Sequence, residues 1–282
     1  MEWLTRMKDA LDLIECRMEE PLDINEIAKV AYSSPFHFQR KFHILTGFTV
    51  AEYVRRRKLT LAAQELAVSS AKVIDIALKY GYESPEAFAK AFRKAHGITP
   101  SAAREPGVKL KAFPRITFHL SLKGDKEMDY RIIDKAAFPV IGKAVRLTCK
   151  DGENLREIPK LWGEFKADGS EDKLIITTGA KEILGICMDH TGEDFTYMIA
   201  VEGDAASAEF EVRSIPAATW AIFTSVGPMP GAIQQVWQRI YQEWFPATGY
   251  EHAGTAEMEV YPPGDPNADD YRCEVWIPIV KK

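Results

Sequence analysis

No run in this chain approaches the ~18 apolar residues that a membrane-crossing helix needs. The first twenty residues interleave charges with apolar side chains, without the apolar stretch and cleavage site of a secretory leader. Cysteine is scarce and scattered. Cys16, Cys149, Cys187 and Cys273 show no metal-ligand spacing and nothing that forces pairing, so a reduced, cytoplasmic setting is expected. Also missing are a nucleotide-binding glycine fingerprint, a phosphate-binding loop and an HExxH metal motif. His119, His190 and His252 stand far apart along the chain, Ser207 and Ser214 lack the context of a strained nucleophile turn, and Cys187 lies in an apolar strand where it reads as a small buried hydrophobe. No catalytic residue, metal or cofactor is therefore expected.

What is present is ordinary in bulk. With 46% apolar and 27% charged residues the chain is globular, and 282 residues suit two domains of ~150 each. The net charge of −5 argues against nucleic acid only if taken whole. Residues 1–107 carry 16 basic and 14 acidic side chains, whereas 108–282 carry 20 and 27. Within 29–58, Lys29, Arg40, Lys41, Arg55, Arg56, Arg57 and Lys58 face one acid, Glu52, which makes a local basic stripe.

The most informative feature is a repeat. Tyr32-Ser33-Ser34-Pro35 recurs fifty residues on as Tyr82-Glu83-Ser84-Pro85. Phe38, Phe42, Gly47 and Thr49 recur as Phe88, Phe92, Gly97 and Thr99, and Arg40 recurs as Lys90. Self-similarity at a fixed offset marks a duplicated supersecondary unit. Each copy reads as helix, turn, helix. A serine N-cap with proline at the first helical position opens the second helix, a Phe pair at i, i+4 fills its inner face, and glycine stops it. The outer face then shows Phe36, Gln39, Arg40 and His43 in the first copy and Glu86, Ala89, Lys90 and Arg93 in the second. Such a helix fits the DNA major groove, where Arg or Lys donates to guanine and Gln pairs with adenine. Lys29, Lys41, Arg55, Arg56, Arg57, Lys58 and Arg93 would hold phosphates. Between the copies, Tyr53 to Ala67 reads as one helix with Leu59, Ala62, Ala63 and Leu66 as its core stripe. It could hold the two reading heads about 34 Å apart, one turn of DNA. An amphipathic helix over 1–20, with Leu4, Met7, Leu11, Ile14 and Met18 at helical spacing, precedes the repeat and is acidic enough to face away from DNA.

The segments LDINEIAKVAYSSPFHFQRKFHILTGFTVAEYVRRRKLTLAAQEL and IDIALKYGYESPEAFAKAFRKAHGITPSAAR resemble the AraC/XylS family of bacterial transcription regulators over roughly 5–104. The resemblance implies base contacts from Phe36, Gln39 and Arg40 in the first unit and from Glu86, Ala87, Ala89 and Lys90 in the second. The second departs from the family pattern at Pro85, Glu86 and Ala87, so the first helix is expected to supply more of the specificity.

The texture changes at Glu105-Pro106-Gly107. Residues 108–127 read as a linker, a strand-like arm ending in the turn Lys123-Gly124-Asp125, and the second domain begins at 128. There, β-like runs alternate with two helices: strands at 130–133 and 140–147, a helix over 153–166, strands at 183–188 and 195–201, then strands at 210–213 and 218–225, a helix over 231–245, and strands at 258–261 and 271–279. Ile132 and Ala136 before Val140-Ile141 are echoed by Val212 and Ala217 before Ala221-Ile222, which suggests two duplicated sheet-and-helix halves. The expected architecture is multidomain: an all-α domain of two tandem helix-turn-helix units joined by a linker helix (1–107), and an α+β domain (128–282).

The second half is rich in aromatics, among them Trp162, Tyr197, Trp220, Trp237, Trp244, Tyr261, Tyr271 and Trp276. Strand alternation puts Glu259 with Tyr261 on one face and Glu274 with Trp276 on another. Aromatics around a carboxylate suit a lipophilic cation. The segments ITFHLSLKG, MDYRIIDKAAFPVIG, LWGEF, DFTYMIAVE, VWQRIYQEWF, EMEVYPP and YRCEVWIPIV resemble the gyrase-inhibitor-like (GyrI-like) effector-binding domain over about 113–282. That resemblance implies a cleft between the two halves for a cationic or amphipathic small molecule, lined here by Trp162, Tyr197, Trp237, Glu259 and Glu274, to which strand alternation adds Tyr261 and Trp276 as ligand-binding candidates. Together the two resemblances imply a ligand-responsive, sequence-specific regulator whose partners are double-stranded promoter DNA, a small-molecule effector and RNA polymerase, without a membrane. The alternative is that the second domain hydrolyses or sequesters a reactive small molecule while DNA binding serves autoregulation.

Overall fold

The structure is a computed structural model in which residues 2–117, 127–205 and 207–282 are described. The chain forms two compact units, Met1–Pro35 with Phe48–Leu120, and Phe36–Gly47 with Ser121–Lys282. The helices in chain order are α1 (Glu2–Cys16), α2 (Ile24–Val30), α3 (Pro35–Thr46), α4 (Val50–Val68), α5 (Val73–Lys79) and α6 (Pro85–His96). All but α3 belong to the first unit, whose described secondary-structure elements are all helices.

Local chemistry sets these boundaries. Asp23 caps α2 by accepting from Asn25 N at 2.8 Å, and Thr49 caps α4 by accepting from Glu52 N at 3.1 Å. Ser84 caps α6 in the same way, with Pro85 at its first position. Gly47 and Gly97 end the two equivalent helices of the repeat at φ +74° and +81°. Each donates its N–H back into the last turn at 2.8 Å, to His43 O and Arg93 O respectively. Met7, Leu11 and Ile14 form the buried stripe of α1. Leu59, Ala62, Ala63 and Leu66 of α4 close over Ile76, Ala77, Phe88 and Phe92 of the second helix-turn-helix, as the spacing predicts.

The arm after α6 differs from expectation. Residues 108–117 form no strand, and 118–126, which include His119 and the expected turn at 123–125, lie outside the described residues. Side chains of α4 satisfy the arm's backbone instead of a neighbouring strand. Thr60 accepts from Phe113 N at 2.9 Å, Arg57 donates to Phe113 O at 2.8 Å, and the Tyr53 hydroxyl accepts from Ile116 N at 3.3 Å.

The second unit is α+β. Its strands are β1 (Tyr130–Lys135), β2 (Phe138–Thr148), β3 (Ile183–Thr191), β4 (Asp194–Glu202), β5 (Glu211–Ile215), β6 (Ala218–Val226), β7 (Tyr250–His252), β8 (Glu257–Tyr261) and β9 (Arg272–Lys281), with helices α7 (Glu153–Ala167), α8 (Ser170–Thr178) and α9 (Gly231–Arg239). The sheet runs β1-β6-β9-β8-β3-β4-β2-β5, all antiparallel, with β7 on β9. This order is a palindrome. Exchanging β1 with β5, β6 with β2, β9 with β4 and β8 with β3 leaves it unchanged, which is the duplication suggested by sequence. Each half lends its first strand to the other, and the halves meet where β8 pairs β3.

Three clusters fill this unit. Phe165 of α7 and Leu174 of α8 pack on Ile141, Ile183, Phe195 and Ile199. Ile233 and Trp237 of α9 pack on Phe223, Val275 and Ile277. A third cluster, nearly all from strands, joins Val140, Ile186, Met198, Trp220, Ile222 and Met258. Helix α8 falls in a stretch, 167–182, to which the sequence reading assigns no element. Its ends decide the matter: Asp168 accepts from Ser170 N at 2.9 Å, and Gly169 and Gly179 bracket it at φ +73° and +69°. The helix expected over 231–245 is also less regular than its periodicity suggests, widening into a π-turn at Ile240–Trp244.

Candidate functional site

Alternation in Glu257-Met258-Glu259-Val260-Tyr261 places Glu257, Glu259 and Tyr261 on one face of β8, at the junction of the two halves. Opposite Glu259 on β3 stands Gly185. A Cβ there would meet the Tyr197 hydroxyl at 2.7 Å and the Trp162 ring at 3.3 Å, so glycine is what lets these aromatics lie over the strand. Glu259 Oε1 accepts from Trp237 Nε1 at 2.7 Å and Oε2 accepts from the Tyr261 hydroxyl at 2.5 Å. Trp162 Nε1 donates to the Tyr197 hydroxyl at 2.7 Å, and its ring meets Tyr261 edge-on at 5.3 Å. Burial, and after it the charge of Glu259, raises both tyrosines far above the usual phenol range, so they stay neutral hydrogen-bonding groups. A cleft of about 460 Å³ borders this cluster at Trp162 and Tyr261, and Lys166, Lys181, Glu171 and Tyr271 also line it. Five of the expected ligand residues thus come together, four aromatics around the carboxylate of Glu259.

Glu274 and Trp276 do not join them. They share a face of β9, but Trp276 pairs in register with Met258 and packs on Trp220 at 5.9 Å, on the side of the sheet opposite Glu259. Glu274 is neutralised there by Arg131, bidentate at 2.8 and 3.0 Å, and accepts from Trp276 Nε1 at 2.8 Å.

Helix α3 lies on the same face as Glu259. Phe36, expected to face outward, is buried among Phe195, Ile199 and Leu147. Its N–H donates to Gly192 O at 3.2 Å, and its ring sits 4.0 Å from that of His190. Gln39 Nε2 donates to Glu193 at 2.9 Å. At the far end Ile44 and Leu45 pack against the cluster under α9. Between them Arg40 forms an ion pair with Glu257, whose side chain is 1% exposed, and its guanidinium stacks 4.5 Å over the Trp237 ring. Burial alone would raise the Glu257 carboxyl, but Arg40 and then His252 outweigh it and hold the group well below the usual carboxylate range. Lys41 reaches Tyr241 at 6.0 Å.

Sequence reasoning missed Glu257, Glu193 and a histidine cluster. Far apart in the chain, His37, His190 and His252 converge, with ring centroids 4.8 Å (37 to 190) and 4.6 Å (37 to 252) apart. Glu257 could have been found, since it shares the alternation that singled out Glu259 and Tyr261. Donor atoms of His37, His252 and Glu257 lie within 4.8 Å of one another, a spacing that could hold a metal ion. The carboxylate is already occupied, however, by Arg40 and by His252 Nε2 at 3.1 Å, and His252 Nδ1 accepts from Gly254 N at 2.8 Å. That fixes His252 as a neutral imidazole donating to Glu257, so two of the three groups are already committed to one another. Cys187 and Cys149 are buried thiols; burial holds Cys149 up at about 12 and Cys187 higher.

The basic residues of the first unit divide. Arg55, Arg56, Lys90, Lys94 and Lys111 border a groove of about 700 Å³ between α4 and α6. Glu86, Ala87, Lys90 and Arg93 are exposed on α6, Ala89 is half-buried, and Lys29 is exposed on α2. Arg56 pairs with Glu52 and lies over Phe48 at 4.8 Å, still 44% exposed. Arg57, expected at phosphate, is instead turned inward. It grips Glu15 of α1 at 2.9 Å and Phe113 O at 2.8 Å, with only 12% of its side chain exposed. Lys58 reaches Glu20 O at 3.4 Å and is half-buried.

Residues 128–280 match the family described as a GyrI-like small molecule binding domain, and residues 27–106 match a helix-turn-helix domain. The transposon Tn10 TetD protein of Escherichia coli is 38% identical over 100 residues, 36% of this chain and 72% of that protein. The regulatory protein SoxS of Escherichia coli (strain K12) is 36% identical over 98 residues, 35% of this chain and 92% of SoxS. Among solved structures, SAV2435 bound to tetraphenylphosphonium is similar with a TM-score of 0.50 and 23% identity, over 54% of this chain and 94% of that one. No described helix is long and apolar enough to cross a membrane.

Proposed function

Because the chain belongs to the AraC-type helix-turn-helix regulators, here carrying a GyrI-like small molecule binding domain, we propose that it is a ligand-responsive transcription regulator whose effector is a lipophilic monocation. The carrying observation is Glu259, a carboxylate framed by Trp162, Tyr197, Trp237 and Tyr261, two of which, Trp162 and Tyr261, also line a neighbouring cleft. A delocalised cation gains there from charge pairing and from the ring faces while giving up little hydration. Tetraphenylphosphonium, held by the structurally similar SAV2435, has this chemistry. Both oxygens of Glu259 already accept hydrogen bonds from Trp237 and Tyr261. That favours a charge-pairing role over general-base hydrolysis, which needs a carboxylate lone pair aimed at water.

For DNA, Arg55, Arg56, Lys29 and Arg93 are the phosphate donors that remain exposed, Lys90 is the exposed base donor, and Gln39 and Arg40 would serve bases only when freed from Glu193 and Glu257. RNA polymerase is the downstream partner of this reading. Isothermal titration with tetraphenylphosphonium tests the ligand site. Wild type should bind and Glu259→Gln should lose at least about tenfold in affinity, a change of about 1.4 kcal/mol. Equal binding by a folded Glu259→Gln protein would reject the site.

A further inference from the structure

We propose that the second unit binds the chain's own helix α3 as an internal ligand, with Arg40 as the cation, and that this withholds the helix from the DNA groove until an external cation releases it. The side chains that suit α3 for reading DNA are the ones spent within this unit. Phe36 is buried, Gln39 is bonded to Glu193, and Arg40 is paired with a buried carboxylate. A guanidinium cannot donate to guanine while it is seated on Glu257, and a helix with Phe36 and Ile44 at 1% and 7% exposure cannot lie in a groove. The equivalent helix α6 makes the contrast: Glu86, Ala87, Lys90 and Arg93 remain exposed. One copy of the repeat is available and the other is engaged.

The seat is built for this occupant. α3 spans the junction of the two duplicated halves, with Phe36 in the cluster under α7, Ile44 in the cluster under α9, and Arg40 between them. Glu257 and Glu259 are two residues apart on one face of β8, and a single ring links them: Trp237 donates its Nε1–H to Glu259 and offers its face to Arg40. A cation that draws Glu259 or tilts Trp237 removes the stacking partner of Arg40. The effector and α3 thus compete for one aromatic wall, and a ligand that binds only the α3-free form shifts the population toward it. The release part of this inference rests on the effector reading above; the sequestering part does not.

The test uses the full chain and a duplex selected by it from a random library. Hydrogen exchange should show amides of 37–46 protected in the free protein and deprotected with saturating tetraphenylphosphonium. Glu257→Gln and, separately, the milder Glu193→Ala, which removes the acceptor of Gln39 and leaves the buried carboxylate intact, should each loosen 37–46 and tighten DNA binding, about tenfold for Glu257→Gln on the usual scale of such coupling. Fast exchange of 37–46 in the free wild type, or unchanged DNA affinity in folded variants of both kinds, overturns the proposal. If the phosphonium binds but leaves 37–46 protected, competitive release fails while the effector reading stands. If it does not bind yet both variants tighten DNA binding, the effector reading fails and sequestering stands.

Discussion

Arg57 and Arg56 are neighbours in a basic run, and the fold gives them opposite tasks. Arg57 ties α4 to α1 through Glu15, and burial is the reason it cannot serve DNA. Arg57→Ala should cost about 2–3 kcal/mol in urea denaturation, since it strands a largely buried carboxylate. Arg55→Ala should leave stability unchanged but weaken binding to all DNA sequences alike, lowering the salt dependence by about one counterion in anisotropy titrations. A stability loss for Arg55→Ala as large as that for Arg57→Ala would reverse the assignment. The composition of Arg55-Arg56-Arg57-Lys58 could not separate them, because four consecutive helical residues point in four directions and only the partners reveal which way is in.

The histidines give a pH dependence. Burial is the first cause lowering His37, His252 and His190, bringing His190 down to about 4, and for His252 it outweighs the hydrogen bond and charge of Glu257. Around them stand Arg40 and Lys41 on α3, Asp189 on β3 and Glu257 on β8, with Glu257 opposing the shifts. Unfolded histidine titrates near about 6.5 and these folded histidines below it, so the unfolded chain binds more protons between those values. Stability of the second unit should be full above the unfolded value and decline as pH falls through the folded ones. Urea midpoints at neutral pH and near pH 5 measure this, and an equal or higher midpoint at the lower pH would contradict it.

Among the elements, β8 and β3 carry the site, and much of it is legible in advance. Alternation in 257–261 placed Glu259 and Tyr261 together, and the resemblance to the GyrI-like domain supplied Trp162, Tyr197 and Trp237. The same alternation put Glu274 beside Trp276 correctly but could not say which face of the sheet they share with β8, because that depends on the β8–β9 register. Gly185 is the inconspicuous member. Gly185→Ala would drive a methyl into the Tyr197 hydroxyl and the Trp162 ring, so it should cost about 1–3 kcal/mol and lower phosphonium affinity in titration. An alanine variant as stable and as avid as wild type would mean the aromatic wall adapts freely. For α3 the periodicity was sound, since Phe38 and Phe42 are buried as predicted. What no pattern in the helix reveals is that its other face is buried too, because Glu257 and Glu193 lie more than 150 residues away.

At the scale of the molecule, the net charge of −5 is a sum over parts with different work. A helical unit presents Arg55, Lys90 and Lys94 around a groove, and an α+β unit gathers Glu257 and Glu259 at the centre of a duplicated sheet. The repeat and the change of texture after 105 were readable because duplication and periodicity are local. The assignment of α3 to the unit of the sheet was not, because it rests on one ion pair and two apolar anchors contributed by remote strands and helices. The central claim is that a cation bound at Glu259 changes how the chain holds DNA. Its most direct test is the affinity of the full chain for its selected duplex with and without saturating tetraphenylphosphonium, in wild type and Glu259→Gln. Tighter binding with the cation in wild type and no change in the variant are expected; wild-type affinity unmoved by a cation shown to bind would refute that coupling.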